Sequence, residues 1–344
     1  MEFDFKVRHV EYAAKSDMLI KNSSGVVKCM KYFPVYGTGD EKEIFKPLSK
    51  TKPLTTPLFG LSEVFWSTII NKFFDKEAPI YKLAICNGYD RAYPSKYSKG
   101  TLVPSVLKGQ ENLINLLEYY RMFPDNMVDI NHYVNYCGIY YDYTMILNSL
   151  PFRKDDDLAK CLAYQILISI LKCDTNYHYE NVAFISRDDK IVSLAPPIDH
   201  EFSIPFLYPD DNLMHAIYFE EYNMALIENS APESKVNLSA MINNIAFIKE
   251  KYPKIADDFI DRLKEFIIDF SFSTFSIPKE YMEPLATDLY LVFEAIYKEH
   301  SNSKGFKDIA KFSLQQLDIG KFQENLKREV LVSATSFYKN LIKK

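Results

Sequence analysis

The sequence predicts an α+β chain in two lobes, a small β-rich lobe with one helix followed by a larger helical lobe. Three observations predict it. Short strand-like runs broken by turn residues fill positions 17 to 105, helical periodicity dominates after 109, and no repeat of 20–50 residues signals a solenoid. At 344 residues the chain suits two domains or one two-lobed domain, and it can bury a core without disulfide or metal staples. Hydrophobic residues make up 47% and charged residues 25%, which excludes a disordered chain. The formal net charge of −5 argues against direct nucleic-acid binding. The longest strongly apolar run, Ile166 to Leu171, is far shorter than the ~20 residues of a membrane span. Five cysteines without a C-x-x-C pair predict neither a disulfide framework nor a zinc site. No apolar h-region follows Met1, so the expected location is the cytoplasm.

In chain order, Met18 to Lys21 and Val26 to Val35 read as strands separated by Asn22-Ser23-Ser24-Gly25. Tyr36-Gly37-Thr38-Gly39-Asp40 turns the chain into a third strand, Glu43 to Leu48. Leu61, Val64, Phe65, Thr68, Ile69 and Lys72 sit at helical spacing and predict a helix over 60–74. Two further strands are expected, Tyr81 to Cys86 and Thr101 to Val106, and the lobes divide at 1–107 and 108–344. Leu113, Leu116, Leu117 and Tyr120 predict an amphipathic helix. Asp155-Asp156-Asp157 opens a helix through Leu171 that is apolar almost all round and therefore buried. A β-like interlude from Val182 to Leu194 precedes helices at 211–229, 237–252, 255–270, 280–299 and 320–341.

Four features carry potential chemistry. They are Asn176-Tyr177-His178-Tyr179-Glu180-Asn181, then Leu194 to Asp199, then Ile44-Phe45-Lys46-Pro47, and Ser62-Glu63. Each alone has an ordinary explanation, such as turn chemistry, a hydrogen-bonded loop His, a solvated strand Lys or an acid in a first helical turn. Their order is more specific. A two-lobed phosphotransferase needs a strand Lys for the nucleotide phosphates, a helix Glu to orient it, and a base near the acceptor hydroxyl. It also needs a loop Asn and a later Asp for Mg²⁺. Lys46 and Glu63 span a strand-to-helix step, and Asn176 and Asn181 repeat the interval of D-x-x-x-x-N. Asp199 follows after room for a hairpin. No G-x-x-x-x-G-K-[ST], G-x-G-x-x-G, H-E-x-x-H or G-x-S-x-G competes.

On these residues the chain resembles the HipA-like serine/threonine protein kinases of the stand-alone type. That family shows a stretch like N-T-D-R-H-x-x-N-F-G and then A-P-x-[FY]-D. Asp174-Thr175-Asn176-Tyr177-His178-Tyr179-Glu180-Asn181-Val182-Ala183 and Ala195-Pro196-Pro197-Ile198-Asp199 match them here. The match is looser at Lys46 and Glu63, and it covers about residues 17–230. The resemblance implies a protein kinase-like fold with ATP and Mg²⁺ in its cleft. Lys46 would meet the phosphates, Glu63 would pair with Lys46, and Asn181 and Asp199 would ligate Mg²⁺. His178 would support the loop, and Ser23, Ser24 and Gly25 would cover the phosphates. Pro104 to Leu107, including Val106 and Leu107, would form the hinge that pairs with adenine. It further implies a Ser or Thr acceptor on a protein, such as a translation factor or an aminoacyl-tRNA synthetase, and a helix-turn-helix antitoxin as partner.

One departure matters: Asn176 occupies the family's catalytic Asp position, and an amide cannot take the acceptor's proton. The chain is then a pseudokinase acting as a nucleotide-binding scaffold, or carries an introduced Asp→Asn change, or uses Asp174 instead. A kinase-fold enzyme acting on a small molecule is a further reading. An open acceptor cleft bounded by Asp155–Asp157 and Asn131–Tyr136 would instead suit a protein.

Overall fold

Five strands form the first sheet: β1 (Arg8–Glu11), β2 (Phe33–Val35), β3 (Glu43–Ser49), β4 (Lys82–Asn87) and β5 (Lys96–Pro104). Their order is β1-β4-β5-β3-β2, with β1 parallel to β4 and the other neighbours antiparallel. This is the arrangement in a computed structural model that describes residues 1–11, 33–35, 43–49, 56–87, 96–104, 106–107, 111–116, 118–119, 143–148, 152, 155–172, 174, 181–188, 190–198, 200, 203, 238–282 and 319–342. β1 has no counterpart among the expected strands. Its Arg-His-Val-Glu sequence lacks an apolar run, and its partner β4 lies more than 70 positions away in the chain. In the centre, Lys46 pairs with Thr101 and Pro47 with Gly100. A Cβ on Gly100 would collide with the Lys46 carbonyl and the Phe45 ring, so only glycine allows β3 and β5 to approach here.

Helix α1 (Thr56–Ile69) backs this sheet with Leu61, Val64, Phe65 and Ile69, all fully buried. It starts four residues before the expected position because Pro57 is tolerated in a first turn, where its missing N–H is not needed. A π-helical turn, Ile70–Phe74, closes it through a bond from Asp75 N–H to the Ile70 carbonyl at 2.7 Å. The extra residue turns Ile70, Phe73 and Phe74 all into the core.

The second sheet contains β6 (Asn112–Asn115), β7 (Ala183–Arg187) and β8 (Lys190–Leu194), in that order and antiparallel. β7 and β8 form a hairpin whose turn includes Asp188 at φ 51°, a left-handed conformation that aspartate tolerates. β6 corrects the expected amphipathic helix. Leu113 lies in a strand opposite Ile185, and helical geometry begins only at Leu116. The apolar spacing fits both states, and pairing with β7 decides between them.

Among the described residues the remaining helices are α2 (Thr144–Leu147), α3 (Asp156–Leu171), α4 (Leu238–Lys251), α5 (Pro253–Ser271), α6 (Lys279–Met282) and α7 (Ile319–Ile342). The Asp155 carboxylate caps α3 by accepting the Leu158 N–H at 3.0 Å, and this helix is buried on most of its circumference. α5 instead shows one apolar stripe of Ala256, Phe259, Leu263, Phe266 and Phe270. Aromatic rings join these parts: Phe3 stacks on Phe65 at 4.9 Å, and Phe74 on Phe259 at 4.9 Å. A small sheet-rich part and a larger helical part therefore share one core. Among the described residues no helix is long and apolar enough to cross a membrane. The strand expected at 18–21 and the helix at 211–229 lie outside the described residues, as do most of 26–35 and 280–299.

Candidate active site

β3 carries Lys46 inward, and α1 carries Glu63 to meet it. Lys46 Nζ and Glu63 Oε1 form an ion pair in which both side chains are 1% exposed or less. Breaking one member of such a buried pair strands the other charge and costs about 3–5 kcal/mol. The second Glu63 oxygen, Oε2, accepts the backbone N–H of His200 at 2.8 Å. Ser62 Oγ donates to the His200 carbonyl at 2.5 Å. Consecutive residues of α1 thus grip both backbone groups of the residue that follows Asp199.

The His200 imidazole extends the network. Its Nδ1 lies 2.8 Å from Lys172 Nζ, and Lys172 pairs with Asp174 Oδ2 at 2.6 Å. Lys172 ends α3, with its N–H bonded to the Ile168 carbonyl, and Asp174 N–H continues the turn to the Ser169 carbonyl. All three side chains are buried. Burial first, then the nearby Lys172 and Lys46 charges, hold the His200 pKa well below its ordinary value of 6.5. A neutral imidazole facing an ammonium accepts at Nδ1 and carries its proton on Nε2. That Nε2 is buried and has no hydrogen-bond partner among the described residues.

The second sheet sets the approach to Asp199. Ala195 N–H bonds the Ala183 carbonyl at 2.7 Å, and Gln165 Nε2 of α3 donates to the Ala195 carbonyl at 2.6 Å. Asn181 stands at the entry to β7, partly exposed, beside Val182, whose carbonyl accepts the Leu116 N–H. In the expected hinge, Leu107 packs against the cluster of Ala183, Ile185 and Ala195. Val106 lines a cavity of about 870 Å³ with Pro104, Ile185, Leu194 and Tyr164.

Lys46 and Glu63 are brought together as their order predicts, and Ala195, four positions before Asp199, is held by β7 and α3. Ser23, Ser24, Gly25, Asn176, His178 and Asp199 lie outside the described residues. Asp174 is not an open base, because its carboxylate is 1% exposed and paired with Lys172. Asp155 and Asp157 line the 870 Å³ cavity, whose described lining includes none of Lys46, Glu63 and Asn181. The acidic turn is therefore not gathered around the buried pair. Sequence reasoning missed Lys172 and His200. No spacing rule marks them, and a histidine directly after the metal-position aspartate was the only available signal.

No family model matches this sequence, and no curated protein matches it. Among solved structures, one described as the crystal structure of a Helicobacter pylori proinflammatory kinase, CtkA, is similar over 88% of this chain and 94% of that chain. Its identity is 11% and its TM-score 0.37, a likeness too loose to bear on activity.

Proposed function

We propose that this chain is a kinase-like phosphotransferase that binds Mg·ATP, with a Ser or Thr of a protein as acceptor in the manner of the HipA-like kinases. The observation that carries this reading is the buried Lys46–Glu63 pair, with the second Glu63 oxygen bonded to the residue after Asp199. A strand lysine held by a helix carboxylate supplies a fixed positive charge for phosphate oxygens, at the segment where a metal-binding aspartate is expected. The donor set fits the metal: the Asn181 amide oxygen and the Asp199 carboxylate are the hard oxygen ligands that Mg²⁺ prefers. When bound, Mg²⁺ would neutralise charge on the phosphates. The chain's own residues would orient the nucleotide: Lys46 would hold the phosphates, and the backbone of the 104–107 segment would pair with the adenine edge.

A second reading, a nucleotide-binding scaffold without efficient turnover, is favoured by Asn176, which cannot accept the hydroxyl proton. Both readings require nucleotide binding. Calorimetry with Mg·ATP should show binding by the chain and clear weakening in Lys46→Ala. Equal affinity of the two proteins would overturn the site.

A further inference from the structure

We propose that His200 is a positioning residue that ties the Lys46–Glu63 pair to the stem of the loop carrying Asn176, through Nδ1, Lys172 and Asp174. This inference rests on the nucleotide-binding reading and adds to it a residue that the family motif does not contain.

Two distant chain segments, α1 and the end of α3, meet at His200. Glu63 is 137 positions from His200, Ser62 is 138, and Lys172 is 28. The backbone of His200 is held by α1, and its side chain by the end of α3. Asp174, at the far end of the relay, stands two residues before Asn176, and Asp199 immediately precedes His200. The relay therefore runs from the Lys46–Glu63 pair, through the residue that follows Asp199, to Asp174, two positions before Asn176.

Charge accounts for the choice of a neutral acceptor. Lys46 and Lys172 bring two positive charges into the buried cluster, and Glu63 and Asp174 bring two negative charges. An aliphatic side chain at 200 would leave the buried Lys172 one acceptor short. A cationic side chain would add a third positive charge beside two ammoniums. A neutral imidazole with a bare Nδ1 meets both conditions, and it spans the gap that the backbone contacts leave. Tyr81, 5.5 Å from the ring centroid, packs beside it.

The test compares the full chain with His200→Asn and His200→Leu. Asn places an amide atom near the Nδ1 position and keeps an acceptor, whereas Leu fills space without one. Mg·ATP affinity is measured by calorimetry at a temperature where melting curves show each protein folded. Supporting residues of this kind are typically worth about 10–100-fold in affinity. His200→Leu should lose about that much, and His200→Asn should stay close to the unmodified chain. If both variants bind as the unmodified chain does, or if both weaken equally, the inference is overturned and the nucleotide-binding reading stands. If the unmodified chain binds no Mg·ATP, the reading itself fails and the inference fails with it. A measurement on the unmodified chain serves where a variant does not fold. The nitrogen-15 resonances of His200 should report an unprotonated Nδ1 and a protonated Nε2, and the opposite tautomer would overturn the relay.

Discussion

Lowering the pH from 7.5 to 5.5 should destabilise this protein through His200 alone, by at most about 1.4 kcal/mol, the limit set by the unfolded-state pKa. In the unfolded chain this histidine titrates near 6.5, whereas in the fold burial and the Lys172 and Lys46 charges keep its pKa well below that. Below 6.5 the unfolded state therefore binds a proton that the folded state does not, so stability falls as pH falls. The loss starts near pH 7, grows by about 1.4 kcal/mol per unit, and stops at the folded-state pKa. For 344 residues the unfolding entropy is about 0.7 kcal/mol per kelvin, so the Tm contribution is at most about 2 °C. The assay is thermal or urea unfolding of the chain and His200→Asn over this pH range, taken as a difference between the two. Asp75 has the opposite sign. Burial raises its folded pKa, so it gains stability as pH falls through that value, and subtraction removes it because both proteins carry it. Parallel pH profiles for the two proteins would refute the reasoning.

Replacing Asn176 with Asp should raise phosphotransfer by about 10²–10⁴-fold on a true acceptor while leaving Mg·ATP affinity nearly unchanged, as single-turnover assays and calorimetry would report. Saturating Mg·ATP should raise the melting midpoint, since a hundredfold excess over Kd stabilises the folded state by about 2.7 kcal/mol; an unmoved midpoint contradicts binding. Gly60→Ala should destabilise by about 1–3 kcal/mol in urea, because its new Cβ would fall within the Tyr281 hydroxyl. Tyr281→Phe in the same chain should recover part of that loss, and strictly additive effects would show that the two residues do not collide.

Sequence alone reveals those parts of the molecule whose causes are local. Asp155 caps α3 through its own side chain, and the following apolar residues are buried on nearly every face, so cap and composition predict the helix together. The β7–β8 hairpin is legible for the same reason. β1 and β6 are not, since each depends on a partner about 70 positions away and β1 lacks any apolar run. Lys46 and Glu63 could be paired from sequence because strand-then-helix order is itself a constraint. Lys172 and His200 could not. Apart from the place of His200 directly after Asp199, nothing near them in the chain calls for a lysine or a histidine, and their need arises only when α3 and the segment after Ala195–Ile198 close on one buried point.

The short helix α6 bears on how the chain is made. Lys99 Nζ, buried at the sheet, donates to the Tyr281 carbonyl at 2.8 Å, and Tyr281 Oη donates to the Gly100 carbonyl at 2.9 Å. The strand next to Lys46 thus exchanges bonds with Tyr281, 181 positions after Gly100 and 182 after Lys99. At ribosomal rates of about 5–20 residues per second, roughly 10–40 s separate the synthesis of Gly100 from that of Tyr281. Throughout that interval β5 must keep a lysine and a tight glycine crossing in place without their partners. The N-terminal sheet cannot reach its final state as an early, independent unit, and contacts this distant in sequence slow the final folding step. Nascent chains arrested before residue 281 should therefore engage holding chaperones more than chains released after it, because the partner of Lys99 and Gly100 is still missing.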